Sequence, residues 1–108
     1  MKRGEIWSAA TGSGFGSKPR PVVIVQGDVF GRTPNVIVAL CETAHGEPDD
    51  VRPRISPDEE NRLDHVSDVA VDLLVTVPER KFGRPIGRLK PNDMQRVEIA
   101  LGVMLGFA

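Results

Sequence analysis

The apolar residues of this sequence come in short, β-branched runs, each closed off by turn-forming residues, and that pattern excludes most architectures. "EIWSA" (Glu5 to Ala9) alternates, as a half-buried strand does. "PVVIV" (Pro21 to Val25) and "NVIVALC" (Asn35 to Cys41) are near-continuous, the signature of strands covered on both faces. "VRPRI" (Val51 to Ile55) alternates too, but Pro53 has no N–H for a ladder, so it reads as an edge strand. "DVAVDLLVTV" (Asp68 to Val77) and "PIGRL" (Pro85 to Leu89) bring the total to about six. Short strands at this spacing predict a mainly β fold, a small and strongly bent sheet or partly open barrel.

Two helical segments interrupt the strands. In "SPDEEN" (Ser56 to Asn61), Ser56 stands where an N-cap would, Pro57 at the first helical position and Glu59 three residues after the serine, which predicts a short internal helix. "KPNDM" opens a longer C-terminal helix, with Pro91 at its first position and Asp93 in its first turn. Met94, Val97, Leu101, Met104 and Leu105 recur at helical spacing and predict one apolar face lying on the sheet. At 108 residues the chain is expected to be one domain spanning 1–108. No apolar run approaches the roughly 20 residues of a membrane helix, and "MKRGEIW" has no apolar segment of a signal peptide. The single cysteine, Cys41, cannot pair internally, so a reducing, cytoplasmic compartment is expected.

Chemistry-bearing residues cluster at a few points. Arg20 lies between Pro19 and Pro21, which hold the backbone extended just ahead of a buried strand. A guanidinium offers a permanently charged fork of donors suited to phosphate or carboxylate. Its bland reading is a solvated strand-end charge. Thr43 and His45, in "CETAH", follow the next strand and share a face if the extended conformation continues. Threonine needs a charged neighbour to act, whereas a histidine could exchange protons near neutrality. Cys41 ends an apolar strand and reads as a small core residue, and Cys41 with His45 falls short of a zinc pattern. "GSGFG" lacks the spacing of a phosphate-binding Walker loop and reads as a flap.

Formal net charge is −1, so a strongly basic nucleic-acid binder is not indicated by charge alone. The charges are nevertheless segregated. Arg80, Lys81, Arg84, Arg88 and Lys90 crowd into "ERKFGRPIGRLK", while Asp49, Asp50, Asp58, Glu59 and Glu60 lie elsewhere. The basic segment is either a solvated loop or a groove that tracks a nucleic-acid backbone.

In this order "KRGEIW", a glycine-rich loop, "KPRPVVIVQ", "VIVALCETAH" and "GRPIGRLKPNDMQRVEIALGVMLGF" resemble the MazF/PemK-like toxin endoribonucleases, over nearly the whole chain from Lys2 to Phe107. The resemblance implies a small SH3-like barrel with a C-terminal helix. It implies a homodimer that cuts single-stranded RNA with no metal or cofactor, and a cognate antitoxin that lays a disordered tail across the groove. It further implies catalytic roles for Arg20 and Thr43, the positions matching the family's arginine and threonine. Ser17, Lys18, His45, Arg80, Lys81 and Arg84 are then the candidate RNA contacts. The chain departs from the family in its first loop, which has no glutamate or glutamine, in Glu42 beside Thr43, and in the apolar Leu73 and Val75. Two rival readings use the same barrel: a CcdB-like protein-binding toxin that poisons gyrase, and a non-catalytic SH3-like binding module.

Overall fold

The computed structural model describes residues 1–12, 18–28 and 33–108. Six strands, β1 (Glu5–Ala9), β2 (Arg20–Ile24), β3 (Asn35–Thr43), β4 (Arg54–Ile55), β5 (Ser67–Pro78) and β6 (Phe82–Arg88), precede one helix, α1 (Pro91–Met104). The strands form one curled antiparallel sheet in the order β4-β5-β3-β2-β1-β6. This is the mainly β half-barrel with a C-terminal helix that the sequence pattern predicts. The demoted strand around Pro53 is indeed an edge, shortened to Arg54–Ile55. Among the described residues no helix is long and apolar enough to cross a membrane.

The continuous apolar runs have a simple cause: the sheet carries a core on each face. Val22 and Ile24 pack on one side with Ala9, Val36, Val38 and Val77, and Trp7 and Phe82 close over them edge to face at 6.1 Å. Val23 points the other way, into Ile6, Ala39, Cys41, Val69 and Val71, where α1 adds Val97 and Leu101. Burying a Val or Ile side chain contributes about 1.5–3 kcal/mol, so a strand with apolar residues in every position anchors both layers.

β5 curls the sheet. Its pairing with β3 jumps from Leu40↔Ala70 to Ala39↔Leu74, which leaves Val71, Asp72 and Leu73 as an insertion without β3 partners. Such a bulge bends the strand. The bend folds Val75 and Val77 back onto the first core layer.

Two expectations fail, each for a local reason. Ser56–Asn61 forms no helix. The Asn61 side chain is fully buried and accepts the N–H groups of Asp58 and Leu63 while donating to the Ser56 carbonyl. Asp58 in turn accepts from the N–H groups of Glu60 and Asn61, so side chains take the donors that a helix would use. Arg62, at φ 54°, then turns the chain out of helical space. A single 3₁₀ turn occurs instead at Glu79–Lys81, between β5 and β6. The second failure concerns α1, whose predicted apolar face is only half covered. Val97 and Leu101 are buried and Met94 packs beside them, but Met104 and Leu105 stand exposed along with Ile99, Val103 and Phe107.

The Asp58–Asn61 turn also explains Gly87. A Cβ at Gly87 would press on the Glu60 and Asn61 carbonyl oxygens, the latter at 2.5 Å, while the neighbouring Arg88 N–H bonds Glu60 O at 2.9 Å. Backbone cannot yield as a side chain can. Asn61→Ala is expected to lose about 2 kcal/mol, since it removes three hydrogen bonds made by a buried side chain and strands the buried Leu63 N–H. Gly87→Ala should lose about 2 kcal/mol by overpacking. Urea titration followed by circular dichroism measures both.

Candidate active site

Arg20 is the first residue of β2, and it pairs with Ala9 of β1, which pairs on its other side with Phe82 of β6. The chain beyond each strand end is tied to the same rim. The Ala10 N–H donates to the Lys81 carbonyl at 3.1 Å, and the Arg84 N–H donates to Ser8 Oγ at 3.0 Å. These bonds bring the 3₁₀ turn with Arg80 and Lys81, and Arg84 of β6, beside Lys18 and Arg20. All five side chains are exposed. Ser17 and the rest of the expected flap, Ser13–Ser17, lie outside the described residues.

Among the described residues, none of these five cations has a hydrogen-bonded or ion-paired side chain. Elsewhere carboxylates are matched to cations: Glu98 to Arg3, Glu42 and Asp72 to Arg52, Asp68 to Arg54, Asp58 to Lys90 and Asp93 to Arg96. The net charge of −1 therefore conceals a locally uncompensated basic rim. The basic run in the sequence is split by β6. Arg80, Lys81 and Arg84 reach the rim, whereas Arg88 pairs across the ladder with Glu5 and Lys90 with Asp58 at the far end of the strand.

Thr43 ends β3, the strand next to β2, so it belongs to the same end of the sheet. Alternation decides which way it faces. Leu40 packs in Arg20's layer with Val22 and Ile24, whereas Cys41 belongs to the layer under α1. Thr43 falls on the Cys41 side. Arg20 and Glu42 each lie two residues beyond the last paired residues, Val22 and Leu40, toward the same end of the sheet, so alternation puts both on that pair's face. The side chain that shares Arg20's face is thus Glu42, a residue that sequence spacing does not single out because spacing carries no register. The extended run stops at Thr43, so the expected common face of Thr43 and His45 does not form. Ala44 still bonds Val66, and Gly46, at φ 66°, turns the chain. His45 is exposed, its carbonyl accepting from Arg54 at 3.3 Å.

Glu42 is held in place. Arg52 Nη1 donates to Glu42 Oε1 at 2.6 Å, and its Nε and Nη2 grip Asp72 at 2.7 and 2.9 Å. Hydrogen bonds from Arg52 hold Asp72 below the usual carboxylate range, and the same bonds raise the Arg52 pKa. The Val51 and Arg52 N–H groups in turn bond Asp49, which pins the loop carrying Arg52. Burial pushes the Cys41 thiol up to about 12, so it stays protonated and takes no nucleophilic role.

The curled six-stranded sheet with one covering helix is the architecture of a solved mycobacterial endoribonuclease in complex with its cognate antitoxin, with TM-score 0.82 over 100% of this chain and 97% of that one at 20% identity. It is also that of the Mycobacterium tuberculosis toxin MazF-mt6, with TM-score 0.79 at 26% identity over 96% of this chain and 98% of that one. A protein of Mycolicibacterium smegmatis named "Probable endoribonuclease MazF" is 39% identical across 100% of this chain and 99% of its own length. Residues 2–105 match the family model of PemK-like, MazF-like toxins of type II toxin–antitoxin systems, and the chain belongs to that family.

Two outcomes follow from the titrating groups. Cys41 should resist iodoacetamide at pH 8 in the folded state and react once urea unfolds the chain, as mass spectrometry would show. Asp72, with a lowered folded pKa, stabilises the fold above the ordinary carboxylate pKa of about 4, and that contribution disappears as pH falls through the folded value. The denaturation midpoint of Asp72→Asn should therefore fall less than that of the wild type between pH 6 and pH 3.

Proposed function

We propose that this MazF-like toxin endoribonuclease cuts single-stranded RNA at the Arg20 rim, by attack of a 2′-hydroxyl on the adjacent phosphate, without metal or cofactor. The observation that carries this reading is the state of Arg20: an exposed guanidinium, mounted between two prolines, with no carboxylate paired to it among the described residues. RNA brings its own nucleophile, so the protein must chiefly place the phosphate and balance the charge that grows on it. Arg20 supplies that balance to the non-bridging oxygens. Lys18, Arg80, Lys81 and Arg84, with Ser17 and His45, carry the backbone on either side. Thr43, on the other face of β3, contacts the strand where it crosses the rim. The whole chain, 1–108, acts as one toxin domain in the cytoplasm, as a homodimer whose cognate antitoxin covers the basic rim.

Arg20→Ala should fold as the wild type does and lose at least about 100-fold in cleavage, as removal of an oxyanion donor does elsewhere. The assay is incubation with a long single-stranded RNA in EDTA, with mapping of the ends, expected to be 2′,3′-cyclic phosphate and 5′-hydroxyl. Undiminished cleavage by a folded Arg20→Ala protein would refute the assignment. Gyrase inhibition without RNA cleavage would instead support a CcdB-like poison. Binding without cleavage would support a plain SH3-like module. Arg80→Ala and Arg84→Ala should each weaken binding to every RNA sequence alike, lowering the salt slope by about 0.7 per lost phosphate contact. Fluorescence anisotropy across a salt series measures this.

A further inference from the structure

A row of charged side chains crosses four neighbouring strands on one face of the sheet. Arg54 of β4 pairs with Asp68 of β5, Asp68 pairs with Glu42 of β3, and Arg20 begins β2, the next strand, on the same face. The signs read plus, minus, minus, plus. The two carboxylates are not equivalent. Asp68 is consumed, both of its oxygens gripped by Arg54 at 2.9 and 3.2 Å. Glu42 gives Oε1 to Arg52 and keeps Oε2 without a partner among the described residues. Its side chain is also the more open, 47% exposed against 16% for Asp68.

Glu42 and Arg20 stand at the ends of neighbouring strands on one face, and among the described residues no ion pair joins them. Glu42 is instead paired with Arg52, which is itself locked to Asp72. A free carboxylate oxygen and a free guanidinium are thereby held apart on one exposed face. A phosphodiester and its neighbouring 2′-hydroxyl have that separation of roles: one group needs a cation and the other a proton acceptor.

We propose that Glu42 is the general base of this enzyme and that Arg52 is its positioning residue, a proposal that rests on the endoribonuclease reading above. Glu42 Oε2 accepts the proton of the 2′-hydroxyl, and the freed oxygen pair forms the 2′-O–P bond. The P–O5′ bond breaks, its electron pair stays on O5′, and a water molecule supplies the proton that makes the 5′-hydroxyl. The proton on Glu42 returns to solvent. The charged groups around this carboxylate are Arg20 on β2, Asp68 on β5, Arg54 on β4, and Arg52 with Asp72, while Lys18 and His45 lie past the strand ends.

The test is single-turnover cleavage of a defined single-stranded RNA between pH 4 and 9, beside anisotropy binding of the same sequence with 2′-deoxyribose at the cut. In the wild type the rate should rise with pH through an acidic ionisation. Glu42→Gln should cut at least about 100-fold more slowly at pH 7, lose that rise, and bind the deoxy oligonucleotide as tightly as before or more so. Glu42→Asp should restore part of the rate together with the pH rise. Wild-type rate and pH profile retained in Glu42→Gln would overturn the proposal. So would a rise that survives in Glu42→Gln and disappears in His45→Ala. Loss of oligonucleotide binding or of the folded circular dichroism signal in Glu42→Gln, with no recovery in Glu42→Asp, would make the residue structural and also overturn it. A wild-type protein that cuts no RNA would strike the endoribonuclease reading itself, a result distinct from each of these.

Discussion

The double-sided burial of β2 is the constraint on which the rest depends. Val22 and Ile24 hold one layer and Val23 the other, so the strand cannot shift by one residue without inverting both cores. That rigidity passes to whatever begins the strand. Arg20 extends from it between two prolines, and the ladder with β1 sets it opposite Ala9. A side chain meant to meet a developing charge gains from such a mount, because little reorganisation remains for the moment of reaction.

Charge is arranged by subtraction. Nearly balanced overall, the protein commits many of its acidic side chains to Arg3, Arg52, Arg54, Lys90 and Arg96, and leaves the cations around Arg20 without an ion-paired carboxylate among the described residues. The more exposed of these ion pairs, such as Arg3 with Glu98, add little stability, typically below about 1 kcal/mol each. Their effect here is local: they set where the uncompensated potential lies. A weakly acidic chain can thus present a surface suited to a polyanion, and the whole-chain charge misleads about the partner.

Much of the fold was legible because its signals are local. The β-branched runs mark four of the strands to within two residues at each end, Pro53 marks the edge, and Pro91 marks the start of α1. The failures have one character. At Ser56–Asn61 a correct capping pattern was overruled by the buried Asn61 amide, which bonds backbone groups that a helix would have used. At α1 the period was right but the sheet covers only Val97, Leu101 and their neighbours, so Met104 and Leu105 stay exposed. In both cases the deciding partner lies in the surrounding structure, not in the pattern.

The candidate site divides along the same line. The sequence by itself pointed to Arg20, since Pro21 restricts its backbone and Pro19 that of Lys18 wherever the strand is placed, and it determined the segregation of basic residues. It pointed equally to Thr43, whose strand end does reach the same rim. Only the tertiary structure decided that Glu42 shares Arg20's face while Thr43 turns to the other, and that Arg88 and Lys90 leave the basic cluster. The physical reason is register. A strand alternates its faces with a period of two, and which alternate face meets a neighbour is set by inter-strand hydrogen bonds that no single strand's sequence encodes.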